Sequence, residues 1–84
     1  MVVNDIVSRA RAEMAAIVGL EAESVSRISR QGEGWTISIE LLESRAIPES
    51  GDVLATYEAA LDGQGNIMQY QRVRRYVRGD TMTA

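Results

Sequence analysis

The sequence has no cysteine, no histidine and no lysine among its 84 residues, and it has a single proline. Without cysteine and histidine it has no disulfide, no thiolate nucleophile, no imidazole base and no zinc site of the usual ligands. A serine nucleophile would also lack a base to activate it, since neither histidine nor lysine is present. These absences exclude most of the chemistry known in small domains. We therefore expect no enzyme activity, no cofactor and no metal.

Long apolar runs are also missing. The longest run is a few residues, far from the roughly 20 needed to span a bilayer. Asn4 and Asp5 make the N-terminus polar where a signal peptide is basic and then apolar. We therefore expect a cytoplasmic protein that does not enter a membrane. The length fits one domain over residues 1–84 and leaves no room for a second.

Charge is unevenly distributed along the chain. The net charge is −3. Residues 1–70 carry five arginines and eleven carboxylates, whereas residues 71–84 carry four arginines and one carboxylate. The chain is thus an acidic body with a basic C-terminal strand. Such a molecule can attract a partner of either sign, or a second copy of itself.

One amphipathic helix is predicted near the N-terminus. Apolar residues recur there at steps of three and four, with charged residues between them, which predicts a helix over about 4–18. Asn4 is a candidate N-cap, Asp5 suits the positive end of the helix dipole, and Gly19 is a candidate C-cap. A helix of this length needs a sheet or a partner to cover its apolar face.

Four strands are predicted after the helix, over about 25–30, 35–43, 53–61 and 67–77. Apolar and polar residues alternate most clearly in the second of these, which Pro48 ends. A loop rich in glycine, from Asp62 to Asn66, joins the last two as a hairpin. The prediction is an α+β fold of cystatin-like shape, in which the helix packs on one face of a four-stranded antiparallel meander. The other face stays open, Trp35 and Tyr57 belong to the core, and residues 80–84 form a frayed tail.

The last predicted strand mixes arginine with tyrosine. Strict alternation places Tyr70, Arg72, Arg74, Tyr76 and Arg78 on one face and Arg75 on the other. Glu40 and Glu58 are expected on the outward face of neighbouring strands, in cross-strand pairs with these arginines. The candidate partner-binding residues are therefore those of this outward row: Glu40, Glu58, Arg72, Arg74, Tyr76 and Arg78.

Arginine and tyrosine together suit more than one kind of partner. Both are common anchors in protein interfaces, and a mixture of the two can stack on bases and neutralise phosphates in single-stranded nucleic acid. The acidic body and Glu58 argue against nucleic acid, so a protein partner is favoured. The same residues are also compatible with a peptide-binding module of the cystatin kind and with a face that is simply solvated.

The second half of the chain resembles a known family. The segments that carry the likeness are Gly34-Trp35, Glu-Leu-Leu-Glu at 40–43, Ile47-Pro48, residues 52–58, Leu-Asp-Gly at 61–63 and the Arg/Tyr strand at 70–78. Together they resemble gas vesicle protein GvpO over residues 20–79. Gas vesicles are the gas-filled, protein-walled compartments that give buoyancy to some bacteria and archaea.

The resemblance implies a non-enzymatic accessory protein required to form these compartments. It implies a location in the cytoplasm, and it is also compatible with association of the protein with the gas vesicle itself. The implied partners are other gas vesicle proteins, either the small hydrophobic shell subunit or fellow accessory proteins.

Overall fold

One helix and four strands make up residues 3–79, the part of the chain that the computed structural model describes. In chain order they are α1 (Val3–Val18), β1 (Glu21–Gln31), β2 (Gly34–Ser44), β3 (Val53–Leu61) and β4 (Ile67–Val77). The strands lie in the order β1-β2-β3-β4, each antiparallel to its neighbour. The α+β prediction of one helix on a four-stranded meander is confirmed. The tail predicted at 80–84 lies outside the described residues.

The predicted C-cap of α1 agrees with the structure, whereas the predicted N-cap does not. The helix begins at Val3, so the prediction that Asn4 caps it is wrong, and Asn4 lies inside the first turn with Asp5. Gly19 follows the last turn with φ of 81°. Its N–H donates to the carbonyl of Ala15 at 2.9 Å, and so does the N–H of Leu20 at 3.2 Å. Glycine adopts this left-handed conformation without a steric penalty, which ends the helix where predicted.

The core lies between α1 and the middle of the sheet. The apolar face of α1 contributes Ile6, Ala10 and Met14, all fully buried. They pack against buried residues of β2 and β3: Ile37, Ile39, Leu41, Ala59 and Leu61. Trp35 and Tyr57 pack against the edge of this cluster and are half-buried, consistent with their assignment to the core.

The helix covers only part of the sheet. It packs chiefly on β1 and β2. Near its N-terminus, Arg9 hydrogen-bonds the side chain of Asn66 in the β3–β4 hairpin. Further along, Arg11 donates to the carbonyls of Ala22 at 3.1 Å and Glu23 at 3.0 Å in β1. The helix leaves β4 exposed along most of its length.

Strand β1 is longer than predicted. It runs from Glu21 instead of residue 25, and it forms one edge of the sheet. Its pairing with β2 shifts register between Ala22 and Ser24 and again between Val25 and Arg27. Each such bulge adds a residue that breaks the alternation of polar and apolar side chains. The sequence pattern therefore predicts only part of this strand.

Bulges also change which way the side chains of β4 face. Tyr57 pairs with Arg72 but Thr56 pairs with Arg74, so Val73 is an extra residue between the two pairs. A second register shift leaves Met68 unpaired near the hairpin. The extra residue at Val73 reverses the alternation within the strand.

The predicted single row of β4 side chains is therefore wrong. Tyr70 and Arg72 pair with Ala59 and Tyr57, whose side chains belong to the core, so they lie on the helix side of the sheet together with Arg75. Arg74, Tyr76 and Arg78 lie on the opposite side, which we call the open face.

Two glycines of the β1–β2 hairpin give a test of the fold. An alanine Cβ at Gly34 would collide with the backbone carbonyl of Leu61 in β3, whereas one at Gly32 would meet nothing within 4 Å. Gly32 has φ of 58°, so its replacement by alanine should cost about 1–2 kcal/mol in backbone strain. Gly34→Ala should cost about 3 kcal/mol, because β2 and β3 must separate. Urea unfolding of both variants tests this order, and an equal or smaller loss at Gly34 would contradict the register.

Candidate functional site

Five of the six candidate residues lie on the open face or at its end. They are Glu40 of β2, Glu58 of β3, Arg74 and Tyr76 of β4, and Arg78 just after β4. Arg72 lies on the other side of the sheet. The structure brings Glu40, Arg74 and Tyr76 together, whereas Glu58 lies further along β3 beside Gln71.

Glu40 is the centre of a hydrogen-bond network on the open face. Its side chain is buried, with the residue 7% exposed. The carboxylate accepts hydrogen bonds from the hydroxyls of Ser26 in β1 and Thr56 in β3, both at 2.6 Å, and from Tyr76 in β4 at 2.8 Å. We call these four residues, one from each strand, the carboxylate network.

The expected pairing of Glu40 with a strand arginine is wrong. Arg74 stacks instead on the ring of Tyr76, with its guanidinium carbon 4.6 Å from the ring centroid. Three hydroxyl donors already surround the carboxylate, and they fit a buried site better than a bulky guanidinium does. Arg74 therefore acts on Glu40 through space and covers the tyrosine that bonds it.

The carboxylate network shifts two pKa values in opposite directions. Burial disfavours the charged form of Glu40, but the hydrogen bonds from Ser26, Thr56 and Tyr76 outweigh it, and the pKa falls below its ordinary value. Burial and the hydrogen bond to Glu40 together raise the pKa of Tyr76. Glu40 is therefore ionised at neutral pH with its oxygens occupied, which makes it a structural group and a poor general base.

Arg78 joins the two edges of the sheet across the open face. It bonds both oxygens of Glu23 in β1, through Nη1 to Oε1 at 3.0 Å and through Nη2 to Oε2. The same Nη2 lies 3.0 Å from Asp52 Oδ2, just before β3. The hydrogen bonds to Glu23 and then to Asp52 raise the pKa of Arg78 further above its ordinary value. We call this group the Arg78 clamp.

Asp52 also holds the connection between β2 and β3. Its Oδ1 accepts the backbone N–H of Ala46 at 2.7 Å. That bond and the guanidinium of Arg78 lower its pKa, with burial working against them. The connection contains one 3₁₀ turn at Glu49–Gly51, and the Gly79 N–H donates to the Ser50 carbonyl at 2.8 Å. Ile47 projects from this anchored loop and is fully exposed.

Arg72 and Arg75 share one carboxylate on the helix side of the sheet. The carboxylate of Glu43 in β2 accepts hydrogen bonds from Arg75 Nε at 2.7 Å and from Arg72 Nη1 at 3.2 Å. The side chain of Glu43 is 15% exposed, and burial works against its charge. The two arginines outweigh that effect and hold the pKa of Glu43 below its ordinary value.

Glu58 takes part in none of these pairs. Within residues 3–79 it makes no side-chain hydrogen bond or ion pair, so the expected pairing with an arginine of β4 is wrong. Its partner across the sheet is Gln71, whereas Arg72 pairs with Tyr57 and Arg74 with Thr56. It remains a half-buried carboxylate on the open face.

The sequence pattern did not predict several residues of these clusters. Thr56 is directly opposite Glu40, so a correct register between the two middle strands would have found it. Ser26 lies at a bulge, and its contact depends on an irregularity that the sequence does not mark. Glu23, Glu43 and Asp52 are ordinary charged residues whose partners are distant in sequence.

The described residues offer neither a metal site nor a membrane span. Within 3–79, no group of three or more histidine, cysteine, aspartate or glutamate side chains is placed to hold a metal ion. The same part of the chain has no helix long and apolar enough to cross a bilayer.

Replacement of Glu40 tests the carboxylate network. Glu40→Gln should lower the free energy of unfolding at pH 7 by about 1–3 kcal/mol, because a neutral amide replaces a charged acceptor of three hydrogen bonds. The folded pKa of Glu40 is below its ordinary value of 4.5, so its contribution is present above that pH and is lost as the pH falls through the folded pKa. The difference from wild type should therefore narrow in acid.

Glu58→Gln is the matched control, since Glu58 lies on the same face of the neighbouring strand. It should change the free energy of unfolding by no more than about 0.5 kcal/mol. Denaturant titrations of the three proteins at pH 7 and at pH values below 4.5 provide the measurement. An effect of Glu40→Gln as small as that of the control, or a difference that widens in acid, would refute the assignment.

Comparison with known proteins places the chain among gas vesicle proteins. Gas vesicle protein O of a Streptomyces species is 47% identical over 68 residues, which is 81% of this chain and 53% of that protein. Gas vesicle protein O of Haloferax mediterranei is 35% identical over 78 residues, 92% of this chain and 56% of its own length. Gas vesicle protein O1 of Halobacterium salinarum is 33% identical over 73 residues, with shares of 87% and 61%.

The chain thus spans between half and two-thirds of the length of the curated relatives it matches. No solved structure matches it. The sequence model of the family described as gas vesicle synthesis protein GvpO matches residues 1–82. The relatives come from both bacteria and archaea, and the match extends over nearly the whole chain. The chain therefore belongs to the GvpO family of gas vesicle proteins.

Proposed function

We propose that this chain is a non-enzymatic accessory protein of gas vesicle formation, which acts in the cytoplasm through contacts with other gas vesicle proteins. The observation that carries the proposal is family membership, since the family is described by gas vesicle synthesis and the matched relatives are named as gas vesicle proteins. The role in assembly and the identity of the partners are inferred for this chain from that membership.

The exposure of β4 supports a role in protein contacts. This strand is an edge of the sheet, it is 11 residues long, and most of its side chains are exposed. An edge strand offers unpaired backbone groups to a partner. Its arginines and tyrosines are the side chains that anchor interfaces.

The candidate residues of the open face divide by how fully they are already bonded. Glu40 and Arg78 are held within the carboxylate network and the Arg78 clamp. Glu58 and Arg74 form no ion pair within residues 3–79 and so retain bonding capacity. We therefore assign the partner contacts of the open face to Arg74, its stacked Tyr76, and Glu58.

The same contacts favour a protein partner over single-stranded nucleic acid. Three of the four arginines at the C-terminal end are bonded to carboxylates of the same chain, two of them to Glu43 and one to Glu23 and Asp52. Binding to phosphates depends on unneutralised positive charge.

The hydrogen bonds around Glu40 support a role without catalysis, because three hydroxyl donors already occupy its carboxylate.

Deletion of the gene in its native host is the experiment that tests the accessory role. Cells without the gene should lack gas vesicles in electron micrographs, and the wild-type gene should restore them. Arg74→Glu should restore fewer vesicles and weaken co-purification with gas vesicle proteins, because it reverses the charge at the centre of the proposed contact. Arg27→Glu, an exposed arginine on β1 at the other edge, is the matched control and should restore them fully.

Normal vesicles in the deletion strain would contradict the accessory role. Circular dichroism of the purified Arg74→Glu protein should match wild type, so that a loss of vesicles reports on contacts. Tight binding of a single-stranded oligonucleotide that falls steeply with salt would favour a nucleic-acid partner instead.

A further inference from the structure

The helix side of the sheet has a surface that α1 leaves uncovered. It consists of Tyr70, Arg72, Arg75 and Val77 of β4 with Glu43 of β2, and we call it the arginine platform. Tyr70 is 45% and Val77 39% exposed. The side chains of Arg72 and Arg75 are 51% and 59% exposed even though both bond Glu43.

A small residue on β3 lets the two arginines lie flat. Glu43 is on β2, so the side chains of Arg72 and Arg75 must cross β3 to reach it. Ala55 lies between Leu41 of β2 and Arg75 of β4 and is fully buried. The aliphatic parts of the arginines are long enough to cover it. Both arginines of the platform are thus directed across β3 toward the same carboxylate.

The charges of the platform do not cancel. Two guanidinium groups share one carboxylate, and the pKa of that carboxylate lies below its ordinary value, with burial opposing and the two arginines causing the shift. One positive charge is left over at neutral pH. Each guanidinium has five N–H groups, most of which remain available for a further acceptor. A carboxylate is the acceptor that best matches this geometry.

The width of the sheet leaves room for a second helix. Neighbouring strands lie about 4.8 Å apart, so four strands with their flanks extend over about 19 Å. A helix with its side chains is about 10 Å across and covers roughly half of that width. Since α1 packs chiefly on β1 and β2 and reaches only Ala59 and Leu61 of β3, a second helix at the usual distance of about 8–10 Å would lie over β4 and the rest of β3.

We propose that the arginine platform docks an amphipathic helix of a partner protein beside α1. The apolar residues of that helix pack on Tyr70 and Val77, and an acidic residue next to them bonds Arg72 and Arg75. The inference rests on the proposed function, because the partner is taken to be another gas vesicle protein. It adds a second contact surface, on the helix side of the sheet, to the contacts proposed for the open face, and it specifies the kind of segment that binds there.

A second copy of this chain does not fit the platform. Two platforms placed face to face would bring four arginines against two carboxylates, which is repulsive. The helix of a second copy is also already engaged, because Ile6, Ala10 and Met14 are buried in its own core. We therefore assign the occupant to a different protein.

Two platform variants test the proposal in the deletion strain. Tyr70→Ser with Val77→Ser removes the apolar contact. Glu43→Gln with Arg72→Gln and Arg75→Gln removes all three charges without leaving a carboxylate unpaired. Each should restore fewer than about a tenth of the vesicles restored by wild type, a loss that corresponds to weaker binding of a required partner.

The matched control is Gln69→Ser with Gln71→Ser, two exposed residues of the same strand that pair with Ala60 and Glu58 of the open face. It should restore vesicles to within twofold of wild type. Each purified variant should keep the wild-type circular dichroism spectrum and a similar unfolding temperature. If wild type restores vesicles and the platform variants do so equally well, the platform proposal fails while the proposed function stands. If deletion leaves vesicles intact, both fail.

Photo-crosslinking identifies the docked segment directly. A benzoylphenylalanine at position 70 should crosslink to a gas vesicle protein in vesicle-forming cells, and the same probe at position 69, which faces the open side of the sheet, should not crosslink to the same peptide. Mass spectrometry of the product should find a peptide with apolar residues at steps of three and four and an acidic residue within one turn. The proposal would be overturned by a peptide that alternates every second residue, by one without a carboxylate, by equal capture of the same peptide at position 69, or by no product at position 70.

Discussion

A buried carboxylate holds the four strands of this small sheet in register. Glu40 is ionised and nearly inaccessible to water, a state that is costly unless hydrogen bonds compensate for it. The compensation comes from Ser26, Thr56 and Tyr76, one hydroxyl from each of the other strands. A slip of one residue in any pair would turn one of these hydroxyls to the opposite face. The facing of the part of β4 that follows the bulge at Val73 is therefore tied to this one carboxylate.

The parts of the fold that were predictable are those in which alternation is regular. The period of the apolar residues in α1 and the clean alternation around Ile37 and Ile39 predicted the helix and the central strand. The bulge at Val73 has no such mark in the sequence, because an extra residue in a strand of mixed polarity leaves the composition unchanged. The existence of β4 could thus be predicted, whereas the facing of Arg72 and Arg75 could not. Ser26 was missed for the same reason.

The division of the sequence into an acidic body and a basic strand has a different meaning in three dimensions. Carboxylates of the acidic body form ion pairs with three arginines at the C-terminal end. Glu43 bonds Arg72 and Arg75, while Glu23 and Asp52 bond Arg78. Charges paired in this way attract a distant partner only weakly, and salt screens what remains. These arginines therefore contribute to binding at short range, where a guanidinium that is already paired can still bond a second acceptor at close contact.

The two faces of the sheet differ in what they can still bond. On the open face, the carboxylate network and the Arg78 clamp use their polar groups internally and tie β1 to β4. On the helix side, α1 packs on the apolar surface of β1 and β2, whereas Tyr70 and Val77 of β4 remain 45% and 39% exposed. The uncovered half of the sheet carries apolar side chains beside the two arginines that bond Glu43. It therefore meets the two requirements of a specific interface. It has apolar area to bury, and it has polar groups that reject a partner without the matching charge.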